Sequence, residues 1–142
     1  MKNKNGNRGF SLLELLIVVA IILIIATIAI PSLLRSRQAA NESAAVANLR
    51  TIATAQVTFA SSRAGSYGTL TELGTEGLID SRFTAGAVSG YTFAITSGFG
   101  TFSASGTPAG TSGRYNYVSF EDGVVRYGAT APTAAQANQP VQ

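Results

Sequence analysis

The sequence predicts an α+β fold, a long N-terminal helix packed against a small antiparallel sheet of about four strands. Three observations carry this. An apolar stretch runs from Phe10 to Pro31, a Gly- and Pro-free amphipathic stretch follows it to Ser62, and from Gly90 onward apolar residues alternate with small polar ones. The chain has 142 residues, enough for at most one modest globular domain once the apolar stretch and its leader are set aside.

The elements follow in order. Residues 1–9, MKNKNGNRG, are polar and basic and read as a leader on the cytoplasmic side of a membrane. Residues 12–30 are Leu, Ile, Val and Ala apart from Glu14 and Thr27. From Phe10 to Ile30 a helix covers roughly 30 Å, one hydrocarbon core. Pro31 interrupts the backbone ladder and either ends the helix or kinks it. The pattern beyond it argues for continuation, because Ala45, Val46, Leu49, Ile52, Ala53, Phe59 and Ala60 form a stripe at three- and four-residue spacing. Asn41, Glu42, Asn48, Arg50 and Thr51 fill much of the other face. One helix over residues 11–62 is expected, on the order of 75–80 Å long. Its first half, residues 10–35, is membrane-like, and its second, residues 36–63, is amphipathic.

Residues 64–142 form the remaining region. Arg63–Tyr67 reads as a loop, and Thr69–Asp80 as one short helix and a turn. Strands are expected at Tyr91–Thr96, Phe99–Ser105, Arg114–Phe120 and Val124–Tyr127. Glu121-Asp122-Gly123 supplies a hairpin turn between the last two. Ala129–Gln142 is rich in Ala, Thr, Gln and Pro and reads as a poorly ordered tail.

Composition narrows the chemistry. The formal charge of +3 is misleading, since Lys2, Lys4 and Arg8 all precede Phe10. Without them seven arginines face seven acids, which gives no support to nucleic-acid binding. The chain has no Cys and no His, so disulfides, thiolate sites and the commonest general base and metal ligand are excluded. Glu121 and Asp122 read as a solvated turn, and Glu72, Glu76 and Asp80 as a solvated loop. No catalytic constellation, metal site or cofactor site emerges, and an enzyme is not expected. The twelve aromatics (Phe 7, Tyr 5) read as core packing.

Glu14 is the anomaly. An acid at the centre of a membrane helix costs roughly 2.5–3.5 kcal/mol, and less near an end. Three readings stand. The acid is tolerated near the headgroups, it is an incidental polar residue in a weak signal peptide, or it pairs with a cation. Cleavage between Gly9 and Phe10 would create such a cation, the free amine of Phe10. Within one helix the two groups lie a full turn apart at a frayed end, so pairing between neighbouring chains is easier, and Glu14 then sets their register.

Arg8-Gly9-Phe10-Ser11-Leu12-Leu13-Glu14 with the apolar run behind it resembles the class III signal of type IV pilins and type II secretion pseudopilins. The resemblance covers about residues 6–60, and beyond that only the general plan of helix and antiparallel strands. It implies the type IV pilin fold, cleavage after Gly9 by a membrane prepilin peptidase that also N-methylates Phe10, and Glu14 as the acid neutralising a neighbour's amine. Pro31 falls where many type IV pilins carry a helix-kinking proline. The implied partners are copies of the same chain in a helical filament, the peptidase, a membrane platform and assembly ATPase, and lipid before assembly. The implied location is the bacterial inner membrane for the precursor, N-terminus in the cytoplasm, and an extracellular pilus for the assembled form. The expected role is a major pilin serving adhesion, twitching motility or related surface functions. A type II secretion pseudopilin or a minor pilin is the alternative, and an exported soluble protein with an ordinary signal peptide cut after Ala29 is more remote. The paired cysteines of many pilins and the calcium loop typical of the major pseudopilin are both missing.

Overall fold

The computed structural model describes residues 10–129. Residues 1–9, read above as a leader ending at the expected cut site Gly9, and residues 130–142, nearly all of the tail read as poorly ordered, lie outside the described residues. The order of elements is α1 (Leu12–Ser62), α2 (Leu70–Thr75), α3 (Arg82–Ala85), β1 (Tyr91–Ser97), β2 (Phe102–Pro108), β3 (Asn116–Phe120) and β4 (Val125–Gly128). Two compact units divide at Ser36/Arg37.

In the first unit α1 is apolar on every side, and the helix continues through Pro31. In the second unit the remainder of α1 contributes the stripe expected from its spacing. Ala45, Leu49 and Ile52 are fully buried there, with Val46, Ala53 and Phe59 nearly so, and all of these share a core with Leu73, Tyr91, Phe93, Phe102, Ala104, Tyr117 and Val125. Each large side chain in that core contributes about 1.5–3 kcal/mol by leaving water.

The sheet is a meander, β1-β2-β3-β4, antiparallel throughout. Pleating turns Tyr91, Phe93, Phe102, Ala104 and Gly106 inward while Thr92, Ala94 and Thr107 face solvent. β2 begins three residues later than its alternation suggested. Ser97 pairs with Phe102, and Gly98–Thr101 forms the connection, closed by the Gly98 amide donating to the Thr101 carbonyl at 3.0 Å. Gly100 has φ 75°, which a glycine adopts without strain. The Glu121-Asp122-Gly123 turn forms as expected. Asp122 accepts from the Val124 amide (3.0 Å) and pairs with Arg126 at 2.6 Å. α3 was not anticipated, because its four residues are too few to show a period.

Two polar residues on the buried face of α1 were misread as surface or passed over. Gln56 is fully buried, and its amide exchanges two hydrogen bonds with the Gly68 backbone, Nε2 donating to the carbonyl (2.6 Å) and Oε1 accepting from the amide (2.9 Å). Glu42 is 7% exposed. Its carboxylate accepts from the Arg114 amide (2.8 Å), Nε (3.0 Å) and Nη2 (2.9 Å). Gln38 and Asn41 donate to the carbonyls of Thr111 and Ser112, both at 2.9 Å. Three side chains of one helix face thus strap the β2–β3 loop to α1.

Two outcomes are expected from this strap. The Arg114 guanidinium holds the Glu42 carboxyl below its ordinary value of 4.5. A depressed carboxyl contributes stability that is full above the unfolded value and is lost as pH falls through the folded one. Glu42→Gln should therefore lower the melting temperature at pH 7 and flatten its decline below pH 4.5, as thermal melts across that range would read. In the same loop, a Cβ on Gly113 would collide with the Tyr91 hydroxyl and meet its ring at 2.6 Å. Tyr91 is fully buried and its hydroxyl donates to the Tyr115 carbonyl at 2.9 Å, so it has nowhere to swing. Gly113→Ala should cost about 1–3 kcal/mol by overpacking, measurable by denaturant unfolding.

Candidate processing and assembly segment

The first unit presents apolar surface all round. Leu12 is 80% exposed, Phe10 74% and Ile28 75%, and the large side chains from Leu13 to Leu34 are exposed likewise. Among the described residues α1 is the helix long and apolar enough to cross a membrane. A helix hydrophobic on every side needs lipid or protein around it.

Phe10 precedes the helix and Ser11 caps it. The Leu13 amide donates to Ser11 Oγ at 3.3 Å, and the Ser11 amide donates to the Glu14 carboxylate at 3.2 Å. This is reciprocal capping of the Ser-x-x-Glu kind, which satisfies amides that the helix start leaves unpaired. The tetrapeptide Ser11-Leu12-Leu13-Glu14 carries the signature of this cap in the sequence itself. A negative charge in the first turn also suits the helix dipole. Two physical terms therefore offset the acid's cost before any partner arrives.

Position lowers that cost further. Leu15–Leu34 carries no charge and at ~1.5 Å per residue covers about 30 Å, the thickness of a hydrocarbon core. Glu14 lies at one end of this interval and Arg35 at the other, so each is placed for an interface and not for the bilayer centre.

Pro31 lies inside α1. Having no N–H, it leaves the Thr27 carbonyl without the donor that position would supply. The Thr27 hydroxyl is turned the other way, donating to the Leu23 carbonyl at 2.8 Å. This gap is the local weak point of the segment's backbone ladder.

The second unit has a shallow groove of about 400 Å³ lined by Glu42, Ser43, Val46, Arg50 and Tyr117 among others. Its acid is engaged by Arg114, and burial pushes the Tyr117 phenol up to about 12. Neither group is placed to act as a base near neutral pH. Of the acids read as solvated, Glu72 closes a capping box on Thr69 and Glu76 pairs with Arg63.

Comparison with known proteins bears on the first unit most directly. Residues 4–30 match the family model of the prokaryotic N-terminal methylation motif. Over 57 residues the chain is 49% identical to the type IV major pilin protein PilA of Myxococcus xanthus (strain DK1622), a stretch that is 40% of this chain. The match spans only 26% of that relative's length. The N-terminus thus carries a prokaryotic N-terminal methylation motif, and the long helix with a four-stranded antiparallel sheet is consistent with the α+β fold of type IV pilins. Motif and apolar helix together fit a membrane-anchored precursor.

Proposed function

We propose that this chain, with its prepilin-type N-terminus, is the major structural subunit of a type IV pilus. On this reading it is held in the inner membrane, cut after Gly9, N-methylated at Phe10 and assembled into an extracellular filament. The observation that carries the reading is the exposed apolar helix with a single acid four residues behind the Gly9-Phe10 junction. Each large apolar side chain left in water costs about 1.5–3 kcal/mol relative to burial. The segment therefore has two stable surroundings, lipid before assembly and a bundle of its own kind afterwards.

In the bundle Glu14 accepts the positive charge of a neighbour's Phe10 amine. Because subunits related head to tail do not close a ring, the product is an open filament. Pro31 acts as the kink at which the segment adapts between the two surroundings, since the Thr27–Pro31 backbone bond is already missing. A peptidase and methyltransferase, a membrane platform and an assembly ATPase are the partners this requires. The similarity to a protein called a major pilin favours that role over a pseudopilin or a minor pilin.

Shearing the producing cells and separating any thin fibre tests this. The chain should be the dominant protein of the fibre. A fibre containing it only in trace would reassign it to a minor role, and its absence from any fibre would refute the proposal.

A further inference from the structure

Among the described residues of the first unit, Glu14 and Arg35 are the only charged groups. Glu14 caps Ser11, and Arg35 is exposed with no ion-pair partner among the described residues. They are 21 positions apart (35 − 14), about 31 Å along a helix and just short of six turns at ~3.6 residues per turn. The two side chains leave the helix about 60° apart around its axis.

We propose that Glu14 of one copy pairs with Arg35 of a second, parallel copy displaced along the helix by those 21 positions. The inference rests on the filament reading and adds a second contact that fixes how far neighbouring subunits are staggered. Other registers fail on charge. With no displacement, Glu14 lies beside Glu14 and Arg35 beside Arg35, and like charges repel strongly in an apolar setting. At intermediate displacements Arg35 is set against Leu, Ile and Val, where it has no partner, and Glu14 finds one only about a turn away, at a neighbour's Phe10 amine. An antiparallel pair would bring the charges together, but all copies enter the membrane with their basic leaders on the same side. The carboxylate has two oxygens and several acceptor sites, so it can serve the Phe10 amine of one neighbour and the guanidinium of another. The planar, permanently charged guanidinium suits a carboxylate in such surroundings.

The chain has no cysteine, which makes cross-linking a clean test. Leu13 and Leu34 are also 21 positions apart and adjoin the two charges. In sheared filaments of the Leu13→Cys, Leu34→Cys chain, oxidation should give a ladder of disulfide-linked multimers. The Leu13→Cys, Ile24→Cys chain should give little cross-linking. The reverse result, or dimers without a ladder, would overturn the stagger while leaving the filament standing. If the double variant makes no filament, Arg35→Gln decides. It should lower sheared-filament yield at least about tenfold with normal processing and membrane insertion, and Arg35→Lys should restore part of it. Unchanged yield in Arg35→Gln would overturn the pairing. Absence of fibres from the unaltered chain would instead refute the filament reading itself.

Discussion

Glu14→Ala is expected to abolish filaments almost completely while the precursor is still inserted and cut. On the proposed assembly, removing the acid leaves the neighbour's Phe10 amine unpaired in an apolar bundle, and stranding one member of a buried pair costs about 3–5 kcal/mol. At ~1.4 kcal/mol per factor of ten, each subunit contact weakens by at least about a hundredfold. Multiplied along a fibre, that is a loss of assembly and not a shift in its amount. The alternative role visible in the structure is capping, since the same carboxylate accepts from the Ser11 amide. Ser11→Ala separates the two. It removes the hydroxyl that the Leu13 amide uses, at a cost of about 1 kcal/mol, and leaves the charge in place. Near-normal filament yield from Ser11→Ala beside none from Glu14→Ala supports pairing between chains. Equal defects would make Glu14 a cap.

The second large effect belongs to the globular unit. Leu49→Ala should destabilise it by about 2–5 kcal/mol, the range for a leucine deleted from a packed core. Leu49 is fully buried in the centre of the amphipathic stretch, and its Cδ1 reaches the inward side of Gly106 on β2. Neighbours fixed by helix and sheet have little room to collapse into the cavity. For a unit of this size the melting temperature of the detergent-solubilised chain should fall by about 10–20 °C. Leu16→Ala, at a position 62% exposed on the isolated chain, should leave the melt nearly unchanged. A leucine in the first unit is therefore to be tested in assembled fibre, and one in the second in the free subunit.

The large features were legible in the sequence because each rests on local pattern. An unbroken apolar run, a three-and-four stripe and a period of two are visible within short windows, and the helix, the four antiparallel strands and the Glu121-Asp122-Gly123 turn followed from them. What was not legible depends on partners far along the chain. Glu42 looked like a surface acid because Arg114, 72 residues away, is invisible to a helical pattern. Gln56 sits at a buried position of the stripe and is satisfied only by the Gly68 backbone. The β2 start slipped to Phe102 because Phe99 continued the alternation while Gly98 and Gly100 claimed the turn. Of the candidate segment, Phe10, Glu14 and Pro31 were named from sequence. The Ser11–Glu14 cap is equally local, a Ser-x-x-Glu signature at the start of the apolar run.

The central claim is that the chain is cut after Gly9 and that the new N-terminus enters a fibre. Mass spectrometry of the N-terminal peptide from sheared, washed fibres tests it most directly. The account predicts a chain beginning with N-methylated Phe10, with no trace of Met1. A chain beginning at Ile30, or one retaining its leader, would contradict it.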